Sequence, residues 1–244
     1  MTGEAEKTVA PRSSERRVRG AVAHELGRAI LAGDYRPGEL LLGEVVFAEK
    51  LGVSRGVYRE AVQVLIGKGL VESRRKLGTR VLPRNRWNML DPDVLAWGLA
   101  NNPDLRLLRS LFEIRAVIEP AAAALATERH NAADIERLRK SLDKMGRHSV
   151  FNEDGRAADR DFHAAILTAS RNDALVTLSA GITAAVGWTS DLVSRGKATP
   201  RDPMPDHMAV YSAIGNRDPS AAFQAMKDLV DFALADTRET LDGL

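Results

Sequence analysis

The sequence contains no cysteine. That excludes a disulfide framework and any site built on thiolate ligands, and it fits a reducing compartment, so a cytoplasmic location is expected. No apolar run approaches the length of a bilayer span, and no membrane partner is expected. The opening MTGEAEKTVAPRSSERR lacks the apolar core of a secretory signal. Residues 1–13, small, polar and interrupted by Pro11, are expected to be disordered. There is no internal repeat, and no strand pattern in the C-terminal two thirds. What remains is 244 residues, 44% apolar and 28% charged, enough for one large core or two of ordinary size.

The net charge of +2 conceals an asymmetry. Residues 1–86 hold 17 Lys and Arg against 10 Asp and Glu, while the remainder holds 18 against 23. A basic N-terminal third on an acidic body is the layout of a nucleic-acid-binding module joined to something else. Charge alone also admits a membrane-surface or RNA module.

Within the basic third, the stretch Leu51–Gly69, LGVSRGVYREAVQVLIGKG, reads as the second half of a helix-turn-helix. Gly52 ends a short helix predicted from about Glu44 to Leu51, because glycine accepts the left-handed closing turn. Ser54 is a suitable N-cap for the next helix, predicted from about Ser54 to Lys68. Arg55 and Arg59 share one face near its start, and Ala61, Val62, Leu65 and Ile66 form the apolar face behind them. Such a helix suits a DNA major groove, where arginine bonds guanine in bidentate fashion. A solvated arginine pair on any amphipathic helix is the alternative. The sequence that follows favours DNA. Leu70–Ser73 and Thr79–Leu82 are strand-like runs joined by a basic tip, and a basic hairpin after a helix-turn-helix is a wing that reaches phosphate or minor groove. The expected DNA-facing set is Ser54, Arg55, Tyr58 and Arg59 on the helix, and Arg74, Arg75, Lys76 and Thr79 on the hairpin.

After a linker at 83–91, in which Trp87 is expected to pack onto a domain, everything reads helical. Helices are placed near 92–100, 104–129, 131–147, 152–170, 173–195, 205–216 and 219–241, with Asn, Gly or Pro chemistry at each break. The chain is therefore expected to be mostly α. It has a winged helix-turn-helix at about 14–82 and an all-α bundle of six or seven helices at about 92–242.

Two places in the bundle carry candidate chemistry. Asp159 and His163 are four apart on one predicted helix, and His207 begins another; one Asp and two His can ligate a divalent ion such as zinc. The alternative for His163, within FHAAI, is a satisfied core histidine. Arg115 lies on an otherwise apolar helix, where an unpaired guanidinium is costly. Its partner is Glu119, one turn on, or the nearby Glu113, or else the carboxylate of a ligand, which its planar fork suits. Trp188, with Thr189 and Ser190, either lines the same cavity or simply packs. Arg195, Lys197 and Arg201 flank a loop and are expected to be solvated, the alternative being that the loop acts as a lid; His130 and His148 sit at helix ends, near terminal carbonyls.

The order of these pieces resembles the GntR family of bacterial regulators. The resemblance rests on LGVSRGVYREAVQVLIGKGLV, preceded by GDYRPGELL and followed by GTRV. FEIRAVIEPAAAALAT at 112–127, DRDFHAAILTASRN at 159–172 and DHMAVYSAIGNRD at 206–218 resemble the ligand-binding domain of its FadR branch, the FCD domain. The resemblance implies a homodimer on a two-fold symmetric double-stranded operator, with Arg55 and Arg59 reading bases and Arg75 at the wing tip. It implies a repressor released by a small carboxylate, a sugar acid such as galactonate first, bound near Arg115, Asp159, His163, Trp188 and His207. It also implies a metal site of one Asp and three His, of which Asp159, His163 and His207 match three and Leu229 stands where the fourth belongs. Either the three still hold an ion, with water or the effector completing the shell, or the site has lost its metal and its polar groups bind the effector directly. Two further departures are Val45, where the family often has a polar residue, and Lys76, where the wing tip often has glycine. An enzyme built on the Asp and two His is the rival from another class; no general base or second carboxylate is placed for one, and none is expected. A regulator answering to another carboxylate or to the metal itself is the nearer alternative.

Overall fold

A computed structural model describes residues 12–99, 104–149, 152–196 and 201–242. These form two compact units, residues 1–89 and 90–244. The expectation of disorder before residue 12 lies outside the described residues, as does the break at Asn101–Pro103.

The N-terminal unit is three helices and a hairpin: α1 (Arg12–Ala32), α2 (Glu44–Leu51), α3 (Arg55–Gly67), β1 (Val71–Arg74) and β2 (Gly78–Val81). Gly52 closes α2 in the left-handed region, at φ 63°. Ser54 caps α3 by accepting from the Val57 N–H at 3.3 Å. Leu26 and Ile30 of α1, Phe47 of α2 and Ala61 and Leu65 of α3 are all buried, with α3 packed against both other helices. The strands pair antiparallel, Val71 with Val81 and Arg74 with Gly78, one residue off the expected ends. The outer edge of β2 is also paired: the Leu41 N–H donates to the Thr79 carbonyl and the Val81 N–H to that of Glu39. The segment read only as a Pro–Gly turn thus supplies a third rung to the wing. At the tip, Lys76 adopts φ 68°, a left-handed conformation that favours glycine over lysine.

The linker begins as part of this unit. A short 3-10 turn, Arg84–Arg86, leads to buried Trp87, whose indole N–H donates to the Leu82 carbonyl at 2.8 Å. The Asn88 N–H reaches the Lys68 carbonyl. This return presses the chain against Gly69, which sits at φ 71°; a Cβ there would lie 2.3 Å from the Arg86 carbonyl oxygen.

The second unit is helical throughout its described residues: α4 (Pro92–Leu99), α5 (Leu105–Arg129), α6 (Ala132–His148), α7 (Glu153–Ala169), α8 (Asp173–Thr177), α9 (Ser179–Arg195), α10 (Met204–Gly215) and α11 (Pro219–Asp242). The helix expected over 173–195 is two. At Leu178 the backbone tightens to an i→i+3 bond onto Leu175, and the chain restarts as α9. A one-residue interruption leaves the apolar period almost unchanged, so the pattern could not reveal it. The core lies between the α5–α11 and α6–α7 pairs, around Phe112, Leu138, Met145, Phe162, Ile166, Ile214 and Met226. No helix among the described residues is long and apolar enough to cross a membrane.

Gly69→Ala combines a left-handed backbone with a backbone clash, and is expected to destabilise the N-terminal unit by about 1–3 kcal/mol. An unchanged denaturant midpoint would show that the 82–88 return does not press on this position.

Candidate nucleic-acid interface and effector pocket

On the N-terminal unit, Arg55 and Arg59 are exposed at the start of α3. The Arg59 Nε donates to Glu44 Oε1 at 3.2 Å, an exposed pair that costs little to exchange for another acceptor. Arg74, Arg75 and Lys76 are exposed at the hairpin tip, with Arg74 also paired to Glu72, and Thr79 is half-buried behind them. Tyr58 corrects the expected set. It is 4% exposed, its ring packs on Phe47, and its hydroxyl donates to the Leu42 carbonyl at 2.8 Å. Three positions after Arg55, its side chain falls on the core side, so it fixes α3 to the body and offers nothing to DNA. What stays exposed is a short arginine row with a basic tip beyond it, a pattern able to meet phosphates and base edges.

In the helical unit a chain of buried charges runs across three helices. On α5, Arg115 and Glu119 are one turn apart, and the Arg115 Nε donates to Glu119 Oε1 at 2.6 Å. The other Glu119 oxygen bonds His163 Nδ1 on α7. His163 Nε2 then faces Asp159 Oδ1 at 3.4 Å, one turn back on α7. From α10, His207 Nε2 meets the same oxygen at 3.0 Å, while its Nδ1 lies 2.8 Å from the Pro203 carbonyl. The second Asp159 oxygen accepts from the Ser190 hydroxyl of α9 at 2.8 Å. All five charged or imidazole groups are at most 5% exposed. Burial alone would raise the Glu119 carboxyl and lower the His163 imidazole. The Arg115 and His163 cations outweigh it and bring Glu119 down to about 2. The Glu119 and Asp159 carboxylates likewise hold His163 up at about 9. Burial also opposes ionisation of Asp159, and its bonds to the two histidines overcome that and lower its carboxyl.

These residues suit a divalent cation. Ligand atoms of Asp159, His163 and His207 all lie within 4.8 Å of one another. Each imidazole faces an oxygen acceptor at both ring nitrogens, whereas a neutral ring carries a single N–H. The site thus calls for positive charge at the Nε2 end, supplied by protons or by a metal ion. The outer acceptors, Glu119 and the Pro203 carbonyl, hold the Nδ1 hydrogens and aim both Nε2 atoms inward, as second-shell groups do in metal sites. Leu229, 4% exposed, lines the pocket and donates nothing, so the donor set stops at three.

The pocket over this cluster holds about 600 Å³ including its open mouth. Its floor is Arg115, Asp159, His163 and His207, and one buried Arg115 nitrogen, Nη1, has no hydrogen-bond partner among the described residues. Its walls are Val186, Thr189, Ser190, Val193, Pro203 and Leu229, and Arg201, Asp236 and Thr237 also line it.

Several expectations are corrected here. Trp188 does not line the pocket; its indole N–H donates to the Leu99 carbonyl at 2.9 Å, and only its neighbours Thr189 and Ser190 face the cavity. Arg201 is no bystander: it lines the pocket, pairs with Asp206 and lies 4.4 Å over the Phe232 ring. Lys197 lies outside the described residues. His130 meets no terminal carbonyl; both its ring nitrogens are buried without a partner among the described residues. Sequence reasoning missed Asp236 altogether and saw Glu119 only as a partner for Arg115. The spacing of α11 held the missing signal, since Ala233 and Asp236 follow Leu229 at one and two turns.

Comparison with known proteins places both units. Residues 19–81 match the family of bacterial regulatory proteins described as the gntR family, and residues 110–232 match the FCD domain. The chain is 34% identical to the galactonate operon transcriptional repressor of Escherichia coli K12, over 84% of this chain and 90% of that protein. It is 30% identical to the Glc operon transcriptional activator of the same organism, over 86% of this chain and 84% of that protein. Among solved structures, Lar, which controls the Listeria monocytogenes agr system, is similar with a TM-score of 0.64 at 18% identity, covering 97% of this chain and 99% of that one. McbR/YncC of E. coli reaches 0.54 at 18% identity, over 92% of this chain and 98% of that one; at these identities the likeness is one of fold. Through its winged helix-turn-helix and its FCD domain, the chain belongs to the GntR family of bacterial regulators and is a transcriptional regulator rather than an enzyme.

Proposed function

We propose that this chain is a repressor that binds a two-fold symmetric operator as a homodimer and is released by a small organic acid, a sugar acid such as galactonate first. In this reading residues 14–82 bind DNA and residues 92–242 dimerise and take the effector. The observation that carries the effector is the Arg115 Nη1, a buried donor without an acceptor at the pocket floor. A guanidinium nitrogen left so is costly, and a ligand carboxylate satisfies it with a charge-assisted hydrogen bond. The 34% identity to a galactonate operon repressor supports the sugar acid over other carboxylates. An acyl chain would lie against the charged Arg201 and Asp236 side chains that also line the pocket, which hydrocarbon cannot satisfy.

Asp159, His163 and His207 would hold one divalent ion, zinc by its preference for imidazole and carboxylate together. Bound there, the ion supplies positive charge that attracts an anionic effector. With neutral imidazoles as ligands, the ion and Arg115 outweigh Glu119 and Asp159 by a single positive charge, which one carboxylate neutralises. The repression switch follows from linkage. An effector that binds one state of the dimer more tightly than the operator-holding state draws the population toward it, to the extent of that difference in affinity.

On the DNA side, Arg59→Ala is expected to weaken specific operator binding by about 1–3 kcal/mol in a gel-shift titration. Affinity equal to wild type would remove Arg59 from the base-reading set. Arg115→Ala is expected to bind operator normally and to lose release by galactonate; normal release in the same assay would place the effector elsewhere. The cation site has a pH signature. The His163 imidazole is held at about 9, above its ordinary 6.5, so in metal-free protein its contribution is fully present below pH 6.5 and lost as pH rises through 9. The melting temperature of chelator-treated protein should therefore fall across that window. The rise produced by added zinc should grow across it, because the metal displaces the Nε2 proton. A zinc effect independent of pH would mean that the ion binds away from His163.

A further inference from the structure

The carboxylate-effector reading leaves the far end of the ligand undefined, and the inference drawn here rests on that reading. α11 faces the pocket with Leu229, Ala233, Asp236 and Thr237, positions that share one helix face. Between buried Leu229 and half-buried Asp236 the helix advances about 10 Å, at about 1.5 Å per residue. Asp236 also differs from the floor in its neighbours. Arg201, Asp206 and Glu239 act on its carboxyl, whereas Arg115 is held by Glu119 deep in the bundle. The pocket thus has two chemically distinct ends, a buried cationic floor and a half-open mouth with a carboxylate.

The two ends ask for opposite things. Arg115 Nη1 is a donor in need of an acceptor. The Asp236 carboxylate is an acceptor in need of a donor, since no side chain among the described residues hydrogen-bonds it. We propose that Asp236 reads hydroxyl groups at the distal end of the effector, so that the ligand is a polyhydroxy monocarboxylate with its carboxylate on Arg115 and its far hydroxyls donating to Asp236.

Other ligand classes fit less well. A second carboxylate at the far end would meet Asp236 with like charge. Burial and the nearby Glu239 and Asp206 already push the Asp236 carboxyl up, against the pull of Arg201, so further negative charge there is unwelcome. A distal ammonium would share the mouth with the Arg201 guanidinium. A short hydroxy acid held at the floor would leave Asp236 unpartnered. Hydroxyls are neutral, donate readily, and can accept from Arg201 beside them. A site built to bond a hydroxyl discriminates strongly against analogues that lack it, because its own polar group is then left unsatisfied.

The test uses full-length protein and three probes: D-galactonate, L-lactate and galactarate, which has a carboxylate at each end. Calorimetric affinities for wild type should favour galactonate over both others by about tenfold or more. Asp236→Leu should lose most of that preference over lactate while lactate binding itself stays unchanged. Asp236→Asn keeps an acceptor oxygen and removes the charge, so it should raise galactarate relative to galactonate by about tenfold. Unchanged operator affinity in both variants reports that they fold. If both variants keep the wild-type preferences, the role of Asp236 is overturned and the Arg115 reading stands. If wild type binds none of the three probes, both are overturned.

Discussion

The helical unit depends on one buried exchange of charge, in which Glu119 holds Arg115 with one oxygen and His163 with the other. Arg115 and Glu119 stand on α5, His163 and Asp159 on α7, and His207 on α10, so a continuous polar seam ties three helices through a core that is otherwise largely apolar. Removing Glu119 would leave a guanidinium and an imidazolium facing each other inside the bundle. Such seams are poor sources of stability, because desolvating each charge offsets most of the attraction. Well-packed apolar side chains would hold the same helices as firmly. The seam makes sense as a device that presents charge to a cavity, with a donor left over at Arg115 and inward-facing nitrogens at both histidines.

The two units are built on different logic. In the N-terminal unit the buried side chains are almost all aliphatic or aromatic, with Tyr58 giving its one hydroxyl to the Leu42 carbonyl. Its functional groups are long, exposed side chains on a rigid frame, suited to a partner that is itself a charged surface. In the helical unit the functional groups are buried and short of freedom, suited to a small ligand that must be enclosed. The chain thus places its charge in two dielectrics: exposed in the DNA-binding unit, desolvated in the helical one.

How much of this was legible in the sequence follows from the range of each interaction. Local signals were reliable. The Gly52 stop, the Ser54 cap, the hairpin and most helix bounds rest on contacts a few residues apart, and the structure places them within a residue or two. The i, i+4 pairs Asp159–His163 and Arg115–Glu119 were legible for the same reason. What could not be read was which of two faces a residue presents when both are plausible. Tyr58 fell to the core and Trp188 to the Leu99 carbonyl because of partners far along the chain. The third rung of the wing, from residues 38–41, is likewise set by a pairing some forty residues away. Asp236 could be placed on the same helix face as Leu229 by its spacing, but that spacing carries no mark of what lies opposite the face.

The small ion pair between Glu44 and Arg59 bears on how strictly an operator is read. Under the proposed role of Arg59, a guanine takes over a guanidinium that already has a partner. A different base at that position does not strand the arginine, which simply stays with Glu44. The energy separating the two cases is then smaller than for an arginine with no fallback. Such a regulator tolerates degeneracy at that base pair, so one protein can govern several promoters whose half-sites differ there.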